Sequence, residues 1–227
     1  MEDLSIGDQQ KDIEPGKIAL SVKEAFGSTV DFGLSVNFEL AKPENKAKLD
    51  TPDDNNVSYG LKMLSEVLRV VSDNSAVQNL KLNDTATIET DVVAYTVLRT
   101  GEKLRVSRKT IRDDQPAAAG LYRGGVIEIT GDKIVAKELL EGVYHSKSQS
   151  SGQSIDRTDL VNLTLAGSKD RWFMEAESVA VSREMKPLDD SSWKIWTTTR
   201  GIKASLDEGI IQFETRAPKK VESSDHL

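Results

Sequence analysis

The sequence predicts a β-rich domain, mainly an antiparallel sandwich or barrel, with one packed α-helix and flexible ends. Short apolar runs bounded by turn residues recur along most of the chain, which favours an antiparallel arrangement over alternating βαβ units. Two hairpin turns are near-copies, Thr100-Gly101-Glu102-Lys103-Leu104 and Thr130-Gly131-Asp132-Lys133-Ile134. A single segment carries a clear helical period. The Thr-Gly-acid-Lys-aliphatic likeness spans five residues and reads as shared turn chemistry rather than an internal repeat.

Residues 1–16 are polar and acidic, end in Pro15-Gly16, and are expected to be disordered. The domain is placed at 17–216. Lys17–Val22 is a candidate first strand. Val30–Phe38 alternates, with Val30, Phe32, Leu34, Val36 and Phe38 on one side, and so predicts a strand with one buried face. Lys42–Asn56 holds Pro43 and Pro52 among many charges and reads as a loop outside the core. The helix follows: Ser58 is a candidate N-cap, Leu61, Leu64, Leu68 and Val71 repeat at three- and four-residue steps, and Asp73-Asn74 is the stop.

Val92–Leu98 and Glu102–Ser107 predict a hairpin with two candidate registers. A Thr100-Gly101 loop pairs Val97 with Leu104 and Tyr95 with Val106, and the apolar pattern favours it. A Gly101-Glu102 loop puts glycine at the first central position, as a type II′ turn prefers. A slip of one residue exchanges the faces of one strand. Residues 113–125 read as a loop. Val126–Thr130 and Lys133–Glu138 form a second hairpin. The serine-rich 145–159 stretch reads as a flexible insertion. Leu160–Leu165, Trp172–Val181, Trp193–Thr199 and Gly209–Thr215 complete nine or ten strands. Residues 217–227 are charged and expected to be a disordered tail.

The chain of 227 residues has no cysteine, which removes disulfides, thiolate nucleophiles and cysteine metal sites. No run approaches the roughly 18–20 apolar residues of a membrane helix, so membrane insertion is not expected. The first residues lack the basic and apolar regions of a secretory signal, and a cytoplasmic location is the expectation. On that footing the Asn-x-Ser/Thr triplets at Asn56, Asn83 and Asn162 are chance. Net charge is −7; residues 1–56 hold twelve Asp/Glu against six Lys/Arg, a net of −6, which leaves −1 for the rest.

His145 and His226 are the only histidines, too few for a Ser-His-Asp triad in a flexible segment and a tail, or for a multi-histidine zinc site. No phosphate-binding loop occurs; Gly120-Leu121-Tyr122-Arg123-Gly124-Gly125 lacks the lysine and the following helix. No cofactor, metal or catalytic residue is therefore assigned. One dense basic cluster stands out: Arg99, Lys103, Arg105, Arg108, Lys109 and Arg112, with Arg123 nearby. It is the candidate contact for nucleic acid or another anionic partner. The competing reading is a solvated strand face whose cations blunt an exposed edge, and it is favoured because pI is near 5 and no aromatics are interleaved. Trp193 and Trp196 fall on opposite faces of a strand, so one of them is a candidate protein interface.

The expectation is a non-enzymatic structural or interaction protein that self-associates or binds a protein partner, of the character of viral and phage structural or accessory proteins. Nucleic-acid binding through 99–112 is the alternative. A carboxylate-based enzyme, or a small-molecule binder inside a barrel, ranks last.

Overall fold

Ser21 and Glu24 cap each other reciprocally: the Ser21 side chain accepts from the Glu24 N–H, and the Glu24 carboxylate accepts from the Ser21 N–H at 2.7 Å. The chain that follows, Val22–Leu40, is a helix, α1. A computed structural model describes residues 20–49, 56–91, 93–110, 125–147, 154–185 and 192–226. The strands expected at Lys17–Val22 and Val30–Phe38 are therefore corrected, the former as far as 20–22, the described part of it. The apolar residues of α1 buried in the core are Val22, Phe26, Val30, Phe32, Val36 and Leu40, mostly at the four-residue steps of a helix.

Pro43–Leu49 forms a short helix, α2, where a loop was expected. Proline suits its first position because no N–H is needed there. Leu49 brings α2 into the core. Asn56–Asp73 is α3, which begins two residues before the expected cap at Ser58 and stops at Asp73 as expected. Asn74 caps the short helix α4, Ser75–Gln78, by accepting from the Ala76 and Val77 N–H groups.

Among the described residues nine antiparallel strands follow in one sheet, each paired to the next in sequence: β1 (Thr85–Glu89), β2 (Val93–Thr100), β3 (Lys103–Thr110), β4 (Val126–Ile129), β5 (Lys133–Lys147), β6 (Ser154–Gly167), β7 (Trp172–Met185), β8 (Ser192–Asp207) and β9 (Ile210–His226). The fold is mainly antiparallel β, as the sequence predicts. Its second layer is helical instead of a second sheet: α1 packs on β4 and β5, and α3 on β5, β6 and β7. Two glycines allow the layers to meet. A Cβ on Gly60 would lie 2.7 Å from Val161 Cγ1, and one on Gly33 would lie 2.5 Å from Ile134 Cδ1. Thr29 Oγ1 donates to the Gly131 carbonyl at 2.7 Å, which ties α1 to the turn between β4 and β5.

The favoured register of the first hairpin is also corrected. Thr100 pairs with Lys103, Val97 with Val106 and Tyr95 with Arg108, so Gly101 and Glu102 form the loop. Gly101 has φ +52°, and Glu102 is not among the residues with positive φ, the pattern of a type II′ turn. The 145–159 stretch is strand at both ends, with His145 opposite Asp156 and Lys147 opposite Ser154; residues 148–153 lie outside the described residues. Residues 217–226, expected as a tail, continue β9 against β8. The acidic 1–16 segment lies outside the described residues, as does the expected loop from 113 to 124.

Candidate binding groove

On α3, the buried side holds Leu61, Leu64, Val67, Leu68 and Val71. The side turned from the sheet presents Ser58, Lys62, Ser65, Arg69 and Asp73, at three- and four-residue steps. On α1, Leu34 and Phe38 share the neighbouring face, and Phe38 is 74% exposed. These two faces, with Lys46 of α2 and Ile88 of β1, wall a groove of about 1050 Å³. It is the largest of the described cavities.

Asn37 belongs to the same wall and differs from everything around it. It is 6% exposed, and neither Oδ1 nor Nδ2 has a hydrogen-bond partner among the described residues. A primary carboxamide offers one acceptor and two donor hydrogens, so a buried, unpaired one is costly. By contrast, the nearby buried Asn45 donates through Nδ2 to the Glu39 carbonyl at 3.0 Å.

Beneath the groove, Tyr95 donates its hydroxyl to Glu66 Oε1, and Arg108 donates to the phenol oxygen. Burial, then the bond to Glu66, pushes the Tyr95 hydroxyl up to about 12. Glu66 is thus held from below by the sheet while it lines the groove.

The β alternation divides the basic cluster. Arg99 and Arg108 lie on the helix-facing side of the sheet, whereas Lys103, Arg105 and Lys109 lie on the other and are exposed. Arg99 is 6% exposed; its Nη1 donates to the carbonyls of Leu20 and Leu80, and its guanidinium sits 5.9 Å from the Phe26 ring centroid. It fastens the start of α1 and the end of the α4 turn to the sheet. Lys103 pairs with Glu128 at 3.5 Å, and Arg105 stands opposite the same residue. Arg112 and Arg123 lie outside the described residues. On the open face, Arg105, Glu128, Lys137, Glu138 and Asn162 surround a smaller depression of about 390 Å³. Its Asn162 already accepts from the Glu138 N–H at 2.9 Å, at the bulge where Glu138 has φ +53°. Trp193 and Trp196 occupy positions of opposite parity in β8.

Among the described residues, no three His, Cys, Asp or Glu gather to hold a metal ion. No helix among them is long and apolar enough to cross a membrane. Sequence reasoning missed the groove because it took α1 for a strand. The signals that mark the helix are the Ser21-x-x-Glu24 cap and the recurrence of Val22, Phe26, Val30 and Leu40. Comparison with protein family models, with curated proteins and with solved structures finds no match for this chain.

Proposed function

We propose that this protein is a non-enzymatic interaction protein whose partner, a polypeptide, seats in the groove between α1 and α3. The observation that carries the reading is the groove wall itself: the exposed Phe38 and the half-buried Leu34 line it beside a buried amide without partners among the described residues. Exposed aromatic surface next to a defined concavity is the arrangement that anchors protein interfaces. The sheet edges support it less. β9 is an edge strand, but it carries exposed Arg216, Pro218, Lys219 and Lys220, the residues that discourage strand addition. Nucleic-acid binding through 99–112 has weaker support, because the cations of that segment divide between two faces of the sheet.

The test is a displayed library of random decapeptides panned against the full chain, with Phe38→Asp as the counter-target. Phe38 is exposed, so the substitution leaves the core intact. Expected are peptides that bind the wild-type chain and lose at least about tenfold in affinity on the variant. No enrichment, or enriched peptides indifferent to Phe38, would overturn the proposal.

A further inference from the structure

Asn37 narrows the kind of polypeptide the groove takes. We infer that the partner lies in the groove as an extended segment, with the N–H and C=O of one of its residues paired to the Asn37 carboxamide, and with an acidic residue placed near Lys46. This rests on the groove being the partner site.

The chemistry follows from what each partner can offer. In an extended segment the N–H and C=O of a given residue point to the same side and are unpaired. Together they present one donor and one acceptor, the complement of Oδ1 and Nδ2. A helical partner has its backbone groups bonded internally, except at its ends, and along its flank offers a buried amide no free backbone N–H and C=O pair. In the free protein both polar atoms of Asn37 are closed off by their neighbours, although the residue lines the groove; in the proposed complex the side chain turns about its torsions to present the carboxamide to the peptide. The cost of desolvating this amide is already borne by the free fold, so the peptide gains the bond without that cost.

Dimensions and charge agree. Ser58 and Asp73 both line the groove, fifteen residues apart on α3, which is roughly 22 Å of helix and matches about six or seven extended residues. The lining holds three cations, Lys46, Lys62 and Arg69, and two carboxylates, Glu66 and Asp73, a net of +1 on a chain of −7. Asp73 stands four residues after Arg69 on the same helical face, where the two charges offset each other. Glu66 stands four residues after Lys62 on the same helix, where it offsets that charge as Asp73 offsets Arg69. The cation of the lining left over is Lys46, on α2.

The experiment uses the full chain and peptides selected on it from a random decapeptide library. Isotope-labelled peptide is examined bound, by its backbone chemical shifts, and affinities are measured for Asn37→Leu, for Phe38→Asp, and for the peptide with its acids replaced by glutamine. Expected are extended-type shifts, a loss of about tenfold or more on Asn37→Leu with unchanged circular dichroism, and a loss of similar size on removing the acids. Helical shifts, or full affinity on Asn37→Leu, would overturn the inference and leave the groove reading standing, provided Phe38→Asp still weakens binding. Peptides indifferent to both substitutions, or none selected, would overturn both. A dimer in light scattering that Phe38→Asp dissociates makes a second copy of this chain the occupant, and the inference fails.

Discussion

Replacing Asn37 by leucine should make the protein more stable while it weakens binding. Leucine keeps the branching at Cγ but has no polar atoms, so the fold no longer desolvates Oδ1 and Nδ2 without return. Each unsatisfied buried polar group costs on the order of 1–3 kcal/mol, and apolar replacement recovers that cost. Leucine is also the better helix former by a few tenths of a kcal/mol, and position 37 is in the last turn of α1. The sum is a gain of about 1–3 kcal/mol. For a chain of this size each kcal/mol raises Tm by roughly 2–4 °C. Urea titration followed by circular dichroism measures it, and the m-value should not change. A destabilised or unaltered variant at constant m would refute the reasoning, because it would mean the amide is satisfied in the folded protein. Stabilisation by removal of a residue is the mark of one kept for something other than the fold.

Arg99→Ala should cost about 2–4 kcal/mol, because a charged donor to two carbonyls is lost, and amide exchange should rise at the start of α1; wild-type stability would show that the Leu20 and Leu80 carbonyls find other donors. Gly60→Ala drives a methyl into Val161 and should cost about 1–3 kcal/mol, whereas in Gly60→Ala with Val161→Ala the two costs should sum to less than their separate values. Strict additivity would place the helix farther from β6 than the structure has it. Tyr95 holds its proton more tightly folded than unfolded, so its contribution to stability is complete below about pH 10 and is lost as pH rises through about 12. The difference in stability between wild type and Tyr95→Phe, followed by alkaline denaturation, should shrink across that window; a flat difference would mean that Tyr95 titrates normally.

Much of the sheet was legible because strand alternation and turn chemistry are local. Ile127 and Ile129, and Leu163 and Leu165, sit at alternate strand positions on one face of the sheet with Ile134 and Met174, and all are buried. The Gly131-Asp132 turn joins its two strands where expected. Helix α1 was illegible for a reason tied to the groove. The half-buried Leu34 and the exposed Phe38 line the groove, and with Val30, Phe32 and Val36 they complete a false period of two. Gly33, which sits on the packing face because only hydrogen fits there, hides the true period. The first hairpin misled in a similar way. Pairing by apolar character keeps Arg108 from standing opposite Tyr95, but in the folded chain the arginine meets the Tyr95 hydroxyl, which in turn donates to Glu66, a residue twenty-nine positions away from Tyr95. The same register divides the basic cluster between faces, and Arg99, whose charge suggested an anion site, meets two backbone carbonyls 19 and 79 residues away in sequence. Residues 217–226 look like a tail because an edge strand bears charge on both faces.

The most direct measurement is the nitrogen–proton correlation spectrum of the full chain, with and without a peptide selected on it. Expected are shifts confined to residues lining the groove, with the side-chain NH₂ pair of Asn37 moving downfield as it gains an acceptor and the backbone of Phe38 moving with it. Shifts that gather on the open face of the sheet around Lys103, Arg105 and Glu128, with Asn37 and Phe38 silent, would contradict the groove as the partner site.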